Sequence, residues 1–166
     1  MEFKIASKDD LINLYRQKME DDPSNIYLKE NLAKRIDALE KKTRMFFVGI
    51  EKNEYICEMA ACVSPDDEYT QNIQYVTDKD TFYLFSFFTK EGYRGKGYFS
   101  QLFRFAKDVL IEMGAKHLTL GVEPDDSENK ERYRNYGFDE LIYKGWEEFD
   151  GMKIDVCYYR KNLQTN

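Results

Sequence analysis

One succession restricts the fold of this chain more than any other. It runs from the strand-like segment Phe82 to Thr89, through Glu91-Gly92-Tyr93-Arg94-Gly95-Lys96-Gly97, into a strongly striped helix and a second strand-like segment, His117 to Val122. The first segment carries aromatic side chains on both alternating faces, the pattern of a strand covered on both sides, which places it centrally in a sheet. The helix stripe is Phe99, Leu102, Phe103, Ala106, Val109, Leu110 and Met113. Gly114 suits the left-handed residue that ends such a helix. A strand, a crossover helix and a returning strand put the two strands side by side in parallel. The glycine turn then lies at a crevice outside the strand ends, beside a helix N-terminus, where ligands commonly bind.

The rest of the chain surrounds this crossover with shorter elements. A strand from Phe3 to Ala6 meets Ser7, which with Asp10 forms a capping arrangement for a helix carrying Leu11, Leu14, Tyr15 and Met19. Pro23 and Ser24 punctuate the chain before a second helix with Leu28, Leu32, Ile36 and Leu39, whose opposite face is charged and solvated. Arg44 to Glu51 and Tyr55 to Ser64 read as a hairpin closed by Lys52-Asn53, and Pro65 ends it. After His117 to Val122 come Pro124, a short helix from Ser127 to Asn135, Gly137, and two strands joined at Phe149-Asp150-Gly151. This order predicts an α+β fold: a central mixed, mostly antiparallel sheet with flanking helices and one parallel strand–helix–strand crossover. At 166 residues, a single domain spanning 1–166 is expected.

Charge narrows the partners. With 25 basic residues against 31 acidic, the net charge is −6, which argues against a protein that grips nucleic acid across its whole surface. No apolar run approaches the ~18 residues needed to span a bilayer, and the N-terminus has no apolar leader, so a soluble cytoplasmic protein without membrane association is expected. Cys57, Cys62 and Cys157 form no C-x-x-C pair and fall in strand-like runs, as small buried thiols do. His117 is the only histidine and has no nucleophile signature beside it; with scattered cysteines it matches no zinc spacing, and no metal is expected.

Within this acidic chain, Lys90, Arg94, Lys96, Arg104 and Lys107 stand against Glu91 alone between positions 90 and 107. Glycines at 92, 95 and 97 let backbone approach an anion closely at a helix N-terminus, and a phosphate or diphosphate fits there. The plain alternative is a turn that only reverses the chain. Neither familiar phosphate loop matches: Lys96 is followed by Gly97 instead of the Ser or Thr of a Walker A loop. A Rossmann G-x-G-x-x-G starting at Gly95 meets Ser100 at its sixth position.

The segment Tyr93-Arg94-Gly95-Lys96-Gly97-Tyr98 resembles the coenzyme A diphosphate loop of the GCN5-related N-acetyltransferase (GNAT) family. A second segment, Glu123-Pro124-Asp125-Asp126 through Tyr133-Arg134-Asn135-Tyr136-Gly137-Phe138, is similar to that family's later motif, with its tyrosine four residues before Gly-Phe. The resemblance implies transfer of an acetyl group from acetyl-CoA to an amine in a ternary complex. It further implies that the backbone of Phe87, Phe88 and Thr89 binds pantetheine like an added strand, with an N–H near Phe88 stabilising the thioester oxyanion. Arg94, Gly95, Lys96, Gly97 and Tyr98 would hold the diphosphate, and Asp126 and Asn129 would contribute at the cofactor. Tyr133 would protonate the departing thiolate. The sequence departs from the family at Phe99 and Asn129, where small residues are usual, at Asp126, where Asn is common, and at Arg132, where an aliphatic residue is.

The attacking amine must be neutral, yet an alkylamine titrates near ~10.4, so a base is needed. Glu58, flanked by apolar residues in its strand, is the first candidate, with Ser86 and Glu123 behind it. The segment Ser64 to Thr81 holds Asp66, Asp67, Glu68, Asp78 and Asp80 with Tyr69 and Tyr75, and would favour a cationic small-molecule or peptide amine. A homodimer is compatible with all of this. The alternatives are a non-catalytic acyl-CoA sensor on the same fold and, behind it, a nucleotide-binding enzyme using the glycine turn.

Overall fold

The computed structural model describes residues Met1 to Gln164. β1 (Glu2–Ile5) enters α1 (Lys8–Asp21) through Ser7, and the expected capping box is present. Ser7 Oγ accepts from the Asp10 N–H at 3.1 Å, and Asp10 Oδ2 accepts from the Ser7 N–H at 2.8 Å. α2 (Leu28–Glu40) follows, and then β2 (Arg44–Glu51) and β3 (Glu54–Cys62). Lys52 and Asn53, at φ 49° and 65°, make the type I′ turn between them, whose twist matches its strands. β3 thus begins one residue earlier and ends two residues earlier than its sequence suggests. β4 (Thr81–Thr89), α3 (Tyr98–Glu112) and β5 (His117–Val122) form the crossover, followed by α4 (Ser127–Asn135), β6 (Glu140–Phe149) and β7 (Met152–Asn162).

The seven strands are ordered β1-β2-β3-β4-β5-β7-β6, with β4 at the centre as its two apolar faces require. The chain divides into two compact units, and β4 runs through both. The first unit comprises Met1–Ala61 and Ser86–Val109. Here β1 pairs antiparallel with β2, and the buried residues include Leu11, Leu14, Tyr15, Phe46, Phe47, Ile56, Met59 and Leu102. The second comprises Cys62–Phe85 and the described residues from Leu110 onward. In it β4 pairs parallel with β5, β5 antiparallel with β7, and β7 antiparallel with β6. Its core groups Cys62, Val76, Tyr83, Val156 and Tyr158. All three cysteines are buried and none forms a disulfide, and burial pushes the Cys57 thiol up to about 11, as befits an inert packing group.

Candidate functional site

In the first unit, Gly92, Gly95 and Gly97 hold φ of 90°, 75° and 80°, a backbone region that other residues enter only with strain. Among the described residues, no heavy atom beyond the flanking residues lies within 4 Å of where a Cβ would stand on any of them, so this backbone faces open space. Arg94 Nε donates to the Thr89 carbonyl at 3.0 Å and ties the turn to the end of β4. Lys96 Nζ stands 5.6 Å from the centre of the Tyr93 ring. The Gln101 N–H reaches back to the Gly97 carbonyl at 3.1 Å. The amides ahead of it are those a helix N-terminus offers to an outside acceptor. Open backbone, two cationic side chains and a helix N-terminus suit the diphosphate of coenzyme A. Phe99 packs edge-on against Phe87, ring centroids 5.3 Å apart, so its bulk goes into packing and Gly97 is left to provide close approach.

Among the described residues the parallel pairing of β4 with β5 covers Thr81–Leu84 against His117–Leu120 and stops there. Ser86, two residues on, sits at φ 59°, a left-handed conformation that costs a non-glycine residue about 1–3 kcal/mol and persists only where its surroundings impose it. Arg35 Nη2 donates to Ser86 Oγ at 3.0 Å. Arg35 Nη1 donates to Glu58 Oε1 at 3.1 Å, and Lys18 pairs with Glu58 Oε2. The Ser86 hydroxyl is 3.5 Å from Glu58 Oε1. Glu58 is 0% exposed, and Lys18 also stands 4.9 Å from the ring centre of Phe88, so this cluster joins Glu58 to the residues around Phe88.

The charged face of α2 is therefore only partly solvated as expected: Arg35 turns inward to the buried carboxylate. The signal lay in β3. A glutamate amid Ile56, Cys57, Met59 and Ala60 has to find cations once buried. Arg35, three residues after Leu32, and Lys18, four after Leu14, both fall within apolar stripes.

In the second unit, Asp126 caps α4 by accepting from the Asn129 N–H at 3.1 Å and from its side-chain amide at 2.7 Å. These two predicted cofactor residues are thus brought together as one cap. Tyr133 lies one turn beyond Asn129 and is half-buried. Burial is the main force that pushes its hydroxyl up to about 12, against the opposing charge of Arg132. Glu123 is exposed beyond β5. Of the three consecutive acids expected to wall the acceptor, Asp67 is buried and accepts from the Tyr69 N–H at 2.8 Å, while Asp66 and Glu68 face solvent. No described helix is long and apolar enough to cross a membrane.

Residues 9–138 match the family model described as the acetyltransferase (GNAT) family, and the chain belongs to that family. It is a family that works on acetyl-CoA. Solved structures share the fold at low identity. A ribosomal-protein-alanine N-acetyltransferase from Brucella melitensis has 16% identity over 98% of this chain and 100% of its own, with a TM-score of 0.68. A probable acetyltransferase from Staphylococcus epidermidis has 14% identity over 98% and 99%, with a TM-score of 0.74. An aminoglycoside 6'-N-acetyltransferase complexed with coenzyme A has 11% identity over 100% and 99%, with a TM-score of 0.68. No curated protein matches the chain.

Proposed function

We propose that residues 1–166 act as one acetyltransferase domain that moves an acetyl group from acetyl-CoA to the primary amine of a small molecule or peptide, by direct attack in a ternary complex. The observation that carries this reading is the Gly92–Gly97 turn, open at three left-handed glycines ahead of α3. Acetyl-CoA supplies the activated acetyl group. Arg94, Gly95, Lys96, Gly97 and Tyr98 hold its diphosphate through main-chain donors, with two side chains adding charge. The backbone of Phe87, Phe88 and Thr89 receives the pantetheine arm as an added strand, and the amide near Phe88 faces the thioester oxygen. Asp126 and Asn129 contribute from the N-cap and first turn of α4, where the two hydrogen bonds that Asn129 donates to the Asp126 carboxylate fix both side chains.

Tyr133 donates the proton that the departing thiolate needs. With its hydroxyl pushed up to about 12 it stays protonated wherever an amine begins to lose its own proton. Glu58 is the proposed proton acceptor. Because Lys18 and Arg35 already engage its two oxygens, it receives the amine proton through the Ser86 hydroxyl. Buried cysteines outside any disulfide fit a reducing cytoplasm. The test is calorimetry with coenzyme A followed by thiol release from acetyl-CoA with a pooled amine panel. Binding with amine-dependent release is expected. No heat with coenzyme A overturns the reading, and binding without release leaves the fold as a sensor.

A further inference from the structure

In the second unit one carboxylate gathers three tyrosine hydroxyls. Glu147 of β6 accepts from Tyr69, from Tyr83 at 3.2 Å and from Tyr158 at 2.8 Å. These donors come from the segment before β4, from β4 and from β7. Tyr69 stacks on Phe85 with ring centroids 4.9 Å apart, and Tyr83 lies nearly parallel to Phe85 at 6.1 Å. Gly121 makes the room, since a Cβ there would stand 2.6 Å from a Val156 methyl and 3.0 Å from the Tyr83 hydroxyl oxygen. Burial, reinforced by neighbouring charge including that of Glu147, holds the Tyr83 and Tyr158 hydroxyls well above the ordinary phenol range. They remain donors at any working pH.

The network is shaped to hold an anion, yet none of its members is cationic. Among the described residues, no lysine or arginine pairs with Glu147. A carboxylate offers about four lone-pair directions, and three phenols occupy three of them. Withdrawing a carboxylate from water without a counter-charge is unfavourable, and an ammonium supplies both the missing charge and a fourth hydrogen bond. The site can be reached, because Glu147, Tyr69 and Phe85 are only half-buried and Tyr75, 70% exposed, stands 6.0 Å from Tyr143 at the rim. Aromatic faces beside a carboxylate are the surroundings an alkylammonium prefers.

We infer that Glu147, with the ring faces of Tyr69 and Phe85, recognises an alkylammonium group of the acceptor. The inference rests on the acetyl-transfer reading and names its substrate class: acceptors that arrive as alkyl cations, in preference to neutral or acidic ones.

The experiment is calorimetric titration of the coenzyme A-loaded protein with hexane-1,6-diamine and with hexane-1,6-diol, a neutral chain of the same length. The diamine binds and the diol binds at least about tenfold more weakly, the difference expected of a charged hydrogen bond. Glu147→Gln, which keeps an oxygen for the phenols, lowers diamine affinity on the order of tenfold, and Tyr69→Leu lowers it about threefold. Both variants bind coenzyme A as the parent does, which shows that they fold. Equal diamine affinity in the parent and Glu147→Gln overturns the inference, as does equal binding of diol and diamine, or no diamine heat with the parent. If the parent fails to bind coenzyme A, the acetyl-transfer reading falls instead, and the titrations are read on the free protein.

Discussion

Glu58 and Glu147 are two carboxylates with opposite surroundings. Glu58, in the first unit, is sealed from solvent and answered by two cations, Lys18 and Arg35. Two cations answer its one charge within the cluster, and Arg35 bridges from Glu58 to the strained Ser86. Glu147, in the second unit, is half-buried and, among the described residues, is answered by neutral phenols alone, so its charge is oriented without a counter-ion. The contrast shows that the partner's charge, more than the number of hydrogen bonds, decides whether a buried acid fixes the protein or attracts something to it.

The contrast is broken most directly by Glu58→Gln. Leaving Lys18 and Arg35 without their counter-ion is expected to cost about 3 kcal/mol or more, read as a lower urea midpoint. Glu147→Gln should cost far less, and equal losses would erase the distinction. Next in size, Tyr133→Phe is expected to lower kcat on the order of 100-fold with coenzyme A affinity unchanged. Parent-like turnover would remove Tyr133 from the reaction.

Gly95→Ala touches neither glutamate and so separates cofactor binding from both. With φ at 75° and open space around it, the substitution meets no atom but carries about 1–2 kcal/mol of backbone strain. Weaker coenzyme A binding should accompany a modest loss of stability; unchanged affinity would argue against the diphosphate cradle.

The smallest effect comes from an intermediate case. The Tyr55 hydroxyl donates to Asp10 at 2.9 Å, a phenol–carboxylate bond like those at Glu147, but Asp10 also pairs with Lys4 at 3.0 Å. Burial works against the Asp10 carboxylate, yet hydrogen bonds from Ser7, Lys4 and Tyr55 hold it below the usual range. Burial, then Asp10, pushes Tyr55 up to about 12. Because the folded state keeps this proton more tightly than the unfolded chain, the contribution is whole below pH about 10 and is lost as pH rises towards about 12. Denaturation midpoints should fall across that window and fall less in Tyr55→Phe. Identical slopes would remove Tyr55 from the alkaline transition.

Much of the fold was legible because its signals are local. Ser7 and Asp10 are three residues apart, Lys52-Asn53 and Asp150-Gly151 are two-residue turns, and the α3 stripe repeats within one helix. The glycine turn was legible for the same reason, since its glycines and cations are contiguous. The partners of Glu58 were not, because they lie 40 and 23 residues away and read as solvated helix charges. Glu147 gave still less sign, since its tyrosines lie 78, 64 and 11 residues off.

The sequence by itself therefore determined the order of elements, the β4–α3–β5 crossover and the glycine turn ahead of α3, all products of dihedral preference and hydrophobic period acting over a few residues. Only the tertiary structure decided which carboxylate is neutralised and which keeps its charge. That depends on which distant side chains share its surroundings once water is gone, and electrostatics in a desolvated interior answers to distance in space, to which spacing along the chain is no guide.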